Sequence, residues 1–369
     1  MIRVKVIGAG SIGNHLAHAC RQQGWAVAVV DTDPAALRRT RDEIYPQRYG
    51  HWDPVIRLQA PADCADEAFD LVIIGTPPDT HLALALAELE HRPPTVMLIE
   101  KPLAPPLADC MPLLERARAT GTRVLVGYNH RLTAHSVQAA EWLAARPLGE
   151  ASTLRVRFRE HWGGIFAAHP WLSGPADSYL GFTSRGGGAL CEHSHGVNIF
   201  QYFSGLAGQG QVVEVDAMLD EVRRDGAEYD RLAQLSLRTA GGLVGLVVQD
   251  VVTLPAEKAL RLEGEHGHLE WQVNSGPGED RLSMQLHAQP ESSREQLFPK
   301  SRPDDFLGEI AHIGKLLANP GLASPIDLET GIATMRIIDA ALRSSREGRR
   351  IRVDYTGLAP PAAKPGVAL

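Results

Sequence analysis

Cysteine is scarce in this chain: Cys20, Cys64, Cys110 and Cys191 stand far apart with no paired spacing. That usage excludes a disulfide framework and a cysteine zinc site, and it fits a reducing cytoplasm. Basic runs are missing as well, and the formal net charge is −7, which argues against nucleic acid as a partner. No apolar stretch approaches the length that crosses a bilayer, so no membrane partner is expected. The first residues enter a strand pattern at once, which leaves no room for a signal peptide. A cytoplasmic protein is the expectation. No internal repeat is present. What remains, 44% apolar and 22% charged residues over 369 positions, describes a globular chain long enough for two domains.

The most informative stretch is the first. An apolar run over residues 2–7 leads into Gly8-Ala9-Gly10-Ser11-Ile12-Gly13, then a helical pattern to about Gln23. A second run over residues 26–30 closes on Asp31. Strand, glycine turn, helix, strand and terminal acid is the order that a dinucleotide-binding βαβ unit requires. Gly8 permits the tight turn, Gly10 admits a pyrophosphate, and Gly13 lets the helix pack close to the strand. The helix start, at Ser11 and Ile12, offers free N–H groups to phosphate. Asp31 accepts hydrogen bonds from a ribose diol and repels a 2′-phosphate, so NAD rather than NADP is the expected cofactor.

Further along, a helix is expected over residues 34–44, a short strand at 55–58, and buried strands at 69–74, 96–99 and 123–127. Helices at about 80–91 and 107–119 alternate with them, which predicts a doubly wound parallel sheet. Its ligand lies outside the carboxyl ends of the strands, so the turns at Gly8, Gly75, Lys101 and Tyr128 are expected to line one crevice. After about Arg131 the pattern changes. A helix near 134–145, a strand over 151–161 and a Gly/Pro/aromatic loop over 162–185 come first, and a helix over 189–203 follows. Long alternating strands at 212–222, 229–239, 243–253, 260–264, 268–273 and 282–288 then predict an antiparallel sheet with one face covered. Helices at about 304–317 and 328–346 and a strand at 351–354 finish the fold. The fold class is α/β with a parallel N-terminal sheet and a C-terminal α+β domain built on a large, mostly antiparallel open sheet. Domain limits fall at 1–128 and 129–355, with a Pro/Ala/Gly-rich loose tail over 356–369.

Two places carry chemistry. Lys101, between Glu100 and Pro102 at a strand's carboxyl end, is no ordinary core residue, because an ammonium there would be buried unless something used it. It is placed to hold a substrate hydroxyl and help move its proton; a surface lysine in a β–α turn is the alternative. The second place is the glycine triplet 186–188 followed by Ala189-Leu190-Cys191-Glu192-His193-Ser194-His195. Glu192 and His195, three apart, share a helix face if the helix is continuous, and a carboxylate there orients an imidazole for proton transfer. Polar helix residues of no special role remain the alternative. A metal site from Glu192, His193 and His195 is not expected, because the two histidines point to different sides of a helix.

Taken together, Gly8–Gly13, Gly75-Thr76-Pro77-Pro78-Asp79-Thr80-His81, Glu100-Lys101-Pro102, Tyr128-Asn129-His130-Arg131 and the glycine triplet before Glu192–His195 resemble the glucose–fructose oxidoreductase / inositol dehydrogenase / MocA-like family. The resemblance covers nearly the whole chain, including residues 264–269 and the final helix. It implies a Rossmann domain and an NAD(P)-dependent oxidoreductase acting on a sugar, sugar derivative, nucleotide sugar or cyclic polyol. Lys101 then matches the catalytic lysine and His195 the catalytic histidine, with Glu192 beside it. Asn129 and Arg131 match residues near nicotinamide and substrate, while Thr76, Pro77, His81 and Glu100 match the cofactor side. Around the histidine the chain departs from the commonest pattern, so His193 is a second candidate. Trp162, His169, Trp171 and Tyr179 are candidate substrate contacts or, equally, anchors of their loop. The resemblance also implies a homodimer or homotetramer formed through the open sheet face, where Leu235, Leu237, Leu246 and Val248 need cover. Two rival functions stay open: a lyase or glycosidase that oxidises transiently, and a non-catalytic dinucleotide-binding regulator.

Overall fold

Strands β4 (Leu71–Ile74) and β5 (Val96–Ile99) are buried at every residue, the mark of parallel strands covered on both faces. They lie in a six-stranded sheet with β1 (Arg3–Ile7), β2 (Ala26–Val30), β3 (Arg57–Gln59) and β6 (Arg123–Val126), in the order β3-β2-β1-β4-β5-β6. All its pairings are parallel, which makes it a Rossmann sheet. This computed structural model describes residues 1–167, 172–301 and 303–358. Helices α1 (Ser11–Gln22), α2 (Pro34–Arg39), α3 (Tyr45–Tyr49), α4 (Pro78–His91) and α5 (Met111–Thr120) complete the wound part. The expected helix over residues 34–44 is interrupted: a π-helical turn, Thr40–Ile44, separates α2 from α3. The short strand expected at 55–58 lies at Arg57–Gln59.

The chain divides into two compact units, and the first takes back a late segment, Arg302–Leu328. It carries helix α10 (Asp304–Ala318), whose Phe306 ring stacks on His15 of α1 at 4.9 Å. A division at residue 128 would assign this segment to the second domain. Its packing on α1, and the hydrogen bond from Val126 N–H to the Ile326 carbonyl at 2.9 Å, tie it to the first.

The second unit is built on a nine-stranded sheet, ordered β14-β13-β12-β11-β7-β10-β9-β8-β15. Its strands are β7 (Ala151–Arg159), β8 (Val212–Arg224), β9 (Ala227–Thr239), β10 (Val244–Asp250), β11 (Glu257–Gly264), β12 (Gly267–Gly276), β13 (Glu279–Leu286), β14 (Arg294–Pro299) and β15 (Ile351–Arg352). Every pairing is antiparallel except β10 with β7. Helices α6 (Ala134–Leu143), α7 (Gly163–Ala167), α8 (Gly188–Glu192), α9 (His195–Leu206) and α11 (Leu328–Glu347) accompany it. Ser344 and Ser345 of α11 accept backbone hydrogen bonds from Ala217 and Leu219 of β8, fixing the end of that helix to the strand.

Two expectations change here. Leu235 and Leu237 are fully buried within the chain and do not belong to the open face. They pair with Val247 and Gly245, whereas Leu246 and Val248 point the other way, and Leu246 is 39% exposed. The expected helix over 189–203 is broken after Glu192 and restarts at His195. The cause lies on β10. The Gln249 carboxamide donates to the carbonyls of both Ala189 (3.0 Å) and Leu190 (3.2 Å). Ser194 N–H then turns to the Cys191 carbonyl at 3.1 Å instead of continuing the α ladder.

Candidate active site

In the first unit, the site grows from the turn after β1. Gly8 has φ +106°, and a Cβ on Gly13 would stand 2.0 Å from the Gly8 carbonyl oxygen, so no side chain fits there. A Cβ on Gly10 would meet nothing within 4 Å, which leaves backbone accessible to a pyrophosphate. Asn14 holds the turn by donating to the carbonyls of Ala9 (3.0 Å) and Gly10 (2.7 Å). Asp31 ends β2 with one carboxylate oxygen on Ala9 N–H (2.7 Å) and the other on Asp33 N–H (2.8 Å). The acid at the end of the second strand is thus tied directly to the glycine turn. These residues suit NAD: open backbone at Gly10, a helix N-terminus at Ser11 and Ile12, and a fixed acid at Asp31.

The turns after β4 and β5 are joined by His81, which is fully buried. Its Nε2 lies 2.8 Å from the Thr76 carbonyl oxygen and its Nδ1 3.1 Å from that of Pro102. Burial pushes its pKa down, against these backbone contacts. His81 therefore braces the two turns instead of lining an open surface. Thr76 and Thr80 share a 2.7 Å hydroxyl contact beside exposed Pro77. Glu100 is nearly buried and accepts from Lys101 N–H at 3.3 Å. Beneath it, α10 contributes Glu309, fully buried, whose carboxyl burial drives well above the usual range, with the charges of Glu100 and Asp305 adding to the rise. The sequence signal was its place on the apolar stripe of Phe306, Ile310, Ile313 and Leu316. Asn129, at the end of this unit, is nearly buried.

In the second unit, the break between α8 and α9 separates Glu192 from His195, so the shared helix face expected from their spacing does not exist. Glu192 accepts instead from the Tyr179 hydroxyl at 3.3 Å. His195 is partly exposed and meets the His130 ring edge-on at 4.6 Å, with Phe158 at 6.2 Å. His193, the second candidate, is 5% exposed. Arg131 is nearly buried; it donates to the Asn198 side-chain oxygen (2.6 Å) and carbonyl (2.7 Å), and stands over the Tyr202 ring. Its guanidinium thus grips α9. Trp162 is buried in a cluster with Leu180, Ala189 and Val251, its ring 4.7 Å from Tyr229, and anchors its loop. Tyr179 packs on the same cluster. Trp171 and His169 lie outside the described residues.

Sequence reasoning missed Asp230 of β9, which is fully buried. Its carboxylate accepts from Leu190 N–H (2.7 Å) and the Thr183 hydroxyl (3.2 Å), while burial raises its pKa to about 7. Gly188, at φ +79°, packs on it so closely that a Cβ would stand 2.1 Å from Asp230 Oδ1. The triplet's third glycine was the available signal, but its partner lies 42 residues away.

Comparison with known proteins identifies the family. Residues 2–128 match the family described as "Oxidoreductase family, NAD-binding Rossmann fold", and residues 136–270 match the "GFO/IDH/MocA C-terminal domain". Inositol 2-dehydrogenase of Rhizobium meliloti (strain 1021) is 23% identical over 360 residues, covering 95% of this chain and 99% of that protein. D-apiose dehydrogenase of Rhizobium rhizogenes is 27% identical over 171 residues, 46% of each chain. Among solved structures, the WlbA dehydrogenase from Bordetella pertussis, in complex with NADH and UDP-GlcNAcA, shares the fold. Its TM-score is 0.71 at 21% identity, over 96% of this chain and 99% of that one. With both of its domains matched by the family's models, the chain belongs to the GFO/IDH/MocA family of NAD-binding oxidoreductases.

Proposed function

We propose that this NAD oxidoreductase moves a hydride between nicotinamide and a secondary alcohol carbon of a carbohydrate-like molecule. The class comprises sugars, sugar derivatives, nucleotide sugars and cyclic polyols. Relatives named for inositol and apiose, and a structural neighbour crystallised with a nucleotide sugar, support that class. The bound cofactor supplies the hydride acceptor, and the protein supplies position and proton transfer.

The observation that carries the reading is Lys101. In the run Glu100–Ala104 it is the one residue that is not buried, at the carboxyl end of a strand in a Rossmann sheet. We assign it to hold the substrate hydroxyl and to help move its proton. His195 is assigned to the same proton transfer, as a partly exposed imidazole against His130. Glu192 is a positioning residue that fixes Tyr179 through the phenol hydroxyl. Gly8, Gly10, Ser11, Ile12, Gly13 and Asp31 are assigned to the cofactor, joined by Thr76, Pro77 and Asn129. The row Val244, Leu246 and Val248 on the open sheet face is assigned to self-association. Four free, buried cysteines suit work in a reducing cytoplasm.

The test is NADH formation by the purified protein with NAD and a panel of polyols, sugars and nucleotide sugars. Net NADH with at least one member supports the reading. Conversion that requires NAD but accumulates no NADH would replace it with transient oxidation by a lyase or glycosidase.

A further inference from the structure

The Gly8–Gly13 turn contains no cationic side chain, yet an NAD pyrophosphate brings two negative charges to it. A cation arrives from elsewhere in the fold. After α2, the π-helical turn Thr40–Ile44 resets the phase of the chain, and α3 runs against α1. Tyr49 fixes the docking: its hydroxyl lies 2.7 Å from His15 Nδ1, and its ring stacks on His18 at 3.7 Å. Arg48, one residue before it, then reaches the first residue of α1. Its Nη2 donates to Ser11 Oγ at 2.8 Å, and its Nη1 donates to the Ser11 carbonyl at 3.0 Å.

We propose that Arg48 is a cofactor-binding residue, the guanidinium that neutralises the pyrophosphate at the Gly10–Ser11 helix start. Two physical effects favour it. A guanidinium is always charged, and it strengthens the positive end of α1 where the phosphate charge arrives. It also sets Ser11: an oxygen already accepting from Arg48 keeps its own O–H to donate elsewhere, and the exposed helix start is where an anion seats. The π turn and the aromatic docking of Tyr49 thus serve to deliver one charge to the turn. The inference rests on NAD binding at this turn and is independent of the substrate and of Lys101 and His195.

The experiment compares the native protein with Arg48→Met and Ser11→Ala, measuring binding of NAD, ADP-ribose and adenosine by competition against NADH fluorescence. Melting of the ligand-free proteins reports folding. Loss of a charge-assisted contact to phosphate predicts that Arg48→Met weakens NAD and ADP-ribose by about tenfold to a hundredfold. Adenosine affinity should be unchanged, and the loss should shrink at high salt. Ser11→Ala, a change at a helix start, should weaken the same two ligands by a smaller factor. Equal losses for all three ligands would make Arg48 a brace for α3, and unchanged ADP-ribose binding would remove it from the site. If Arg48→Met does not fold, Arg48→Gln, which removes the charge but keeps a polar side chain, takes its place, and unchanged ADP-ribose binding in it overturns the proposal. Failure of the native protein to bind NAD at all would instead refute the cofactor.

Discussion

The carboxylate of Asp230 accepts a hydrogen bond from the Leu190 backbone N–H at 2.7 Å, pinning the first turn of α8 to the sheet from a fully buried position. Neighbouring Gln249 takes two carbonyls of the same turn. Between them, these two side chains decide where α8 stops and α9, with His195, begins.

Asp230→Asn should preserve this arrangement, since the amide oxygen can accept from Leu190 while its nitrogen donates to Thr183. Asp230→Ala leaves a buried N–H without an acceptor and should cost about 1–3 kcal/mol of stability. The titration has a definite sign. The folded carboxyl is raised to about 7, so between its ordinary value and about 7 the native state holds more protons than the unfolded one. Stability contributed by this group therefore falls as pH rises through that window. Melting temperature followed against pH should drop less steeply in Asp230→Asn than in the native protein. Parallel curves would mean that Asp230 titrates normally.

NAD(H) should bind more tightly than NADP(H), by on the order of tenfold or more, because the Asp31 carboxylate repels a 2′-phosphate. The acid is held in place by Ala9 and Asp33 N–H groups, and Arg39, which stands 3.9 Å from Asp33, is turned toward that acid. Calorimetric titration with both cofactors measures the ratio. Tighter NADP(H) would require Arg38 or Arg39 to cover the ribose.

The strands of the Rossmann sheet were legible because buried parallel strands read as unbroken apolar runs, as in residues 71–74 and 96–99. Strand β14 was not, since five of its six residues are exposed and no alternation marks it. Three other features depend on distant partners that local patterns do not contain. Gln249 breaks the helix after Glu192, Phe306 returns α10 to the first unit, and Arg48 reaches Ser11 only because of the π turn. For the candidate site, the glycine turn and the candidates Asp31 and Lys101 stand out in the local sequence and His81 through the family resemblance, whereas the buried Asp230 and Glu309 declare themselves only through their surroundings.

Self-association through the open face should be abolished by one charge. Leu246 is 39% exposed on β10, between Val244 and Val248, with Arg155 opposite it on β7. Light scattering of the native protein should give a multiple of 40.0 kDa, and Leu246→Glu should give the single-chain mass. A native protein that runs only at the single-chain mass at micromolar concentration contradicts this.

Lys101 and His195 are proposed to move the proton of a substrate alcohol, with the cofactor turn binding NAD independently of them. Single-turnover hydride transfer, measured in the native protein, Lys101→Met, His195→Ala and the double variant, tests it most directly, with NAD binding followed by fluorescence quenching. Each single variant should slow transfer by about a hundredfold to ten-thousandfold, with NAD affinity nearly unchanged. Groups serving one proton transfer are not additive, so the double variant should be little slower than the poorer single one. Near-native transfer in His195→Ala would pass its role to His193. Near-native transfer in Lys101→Met would contradict the account.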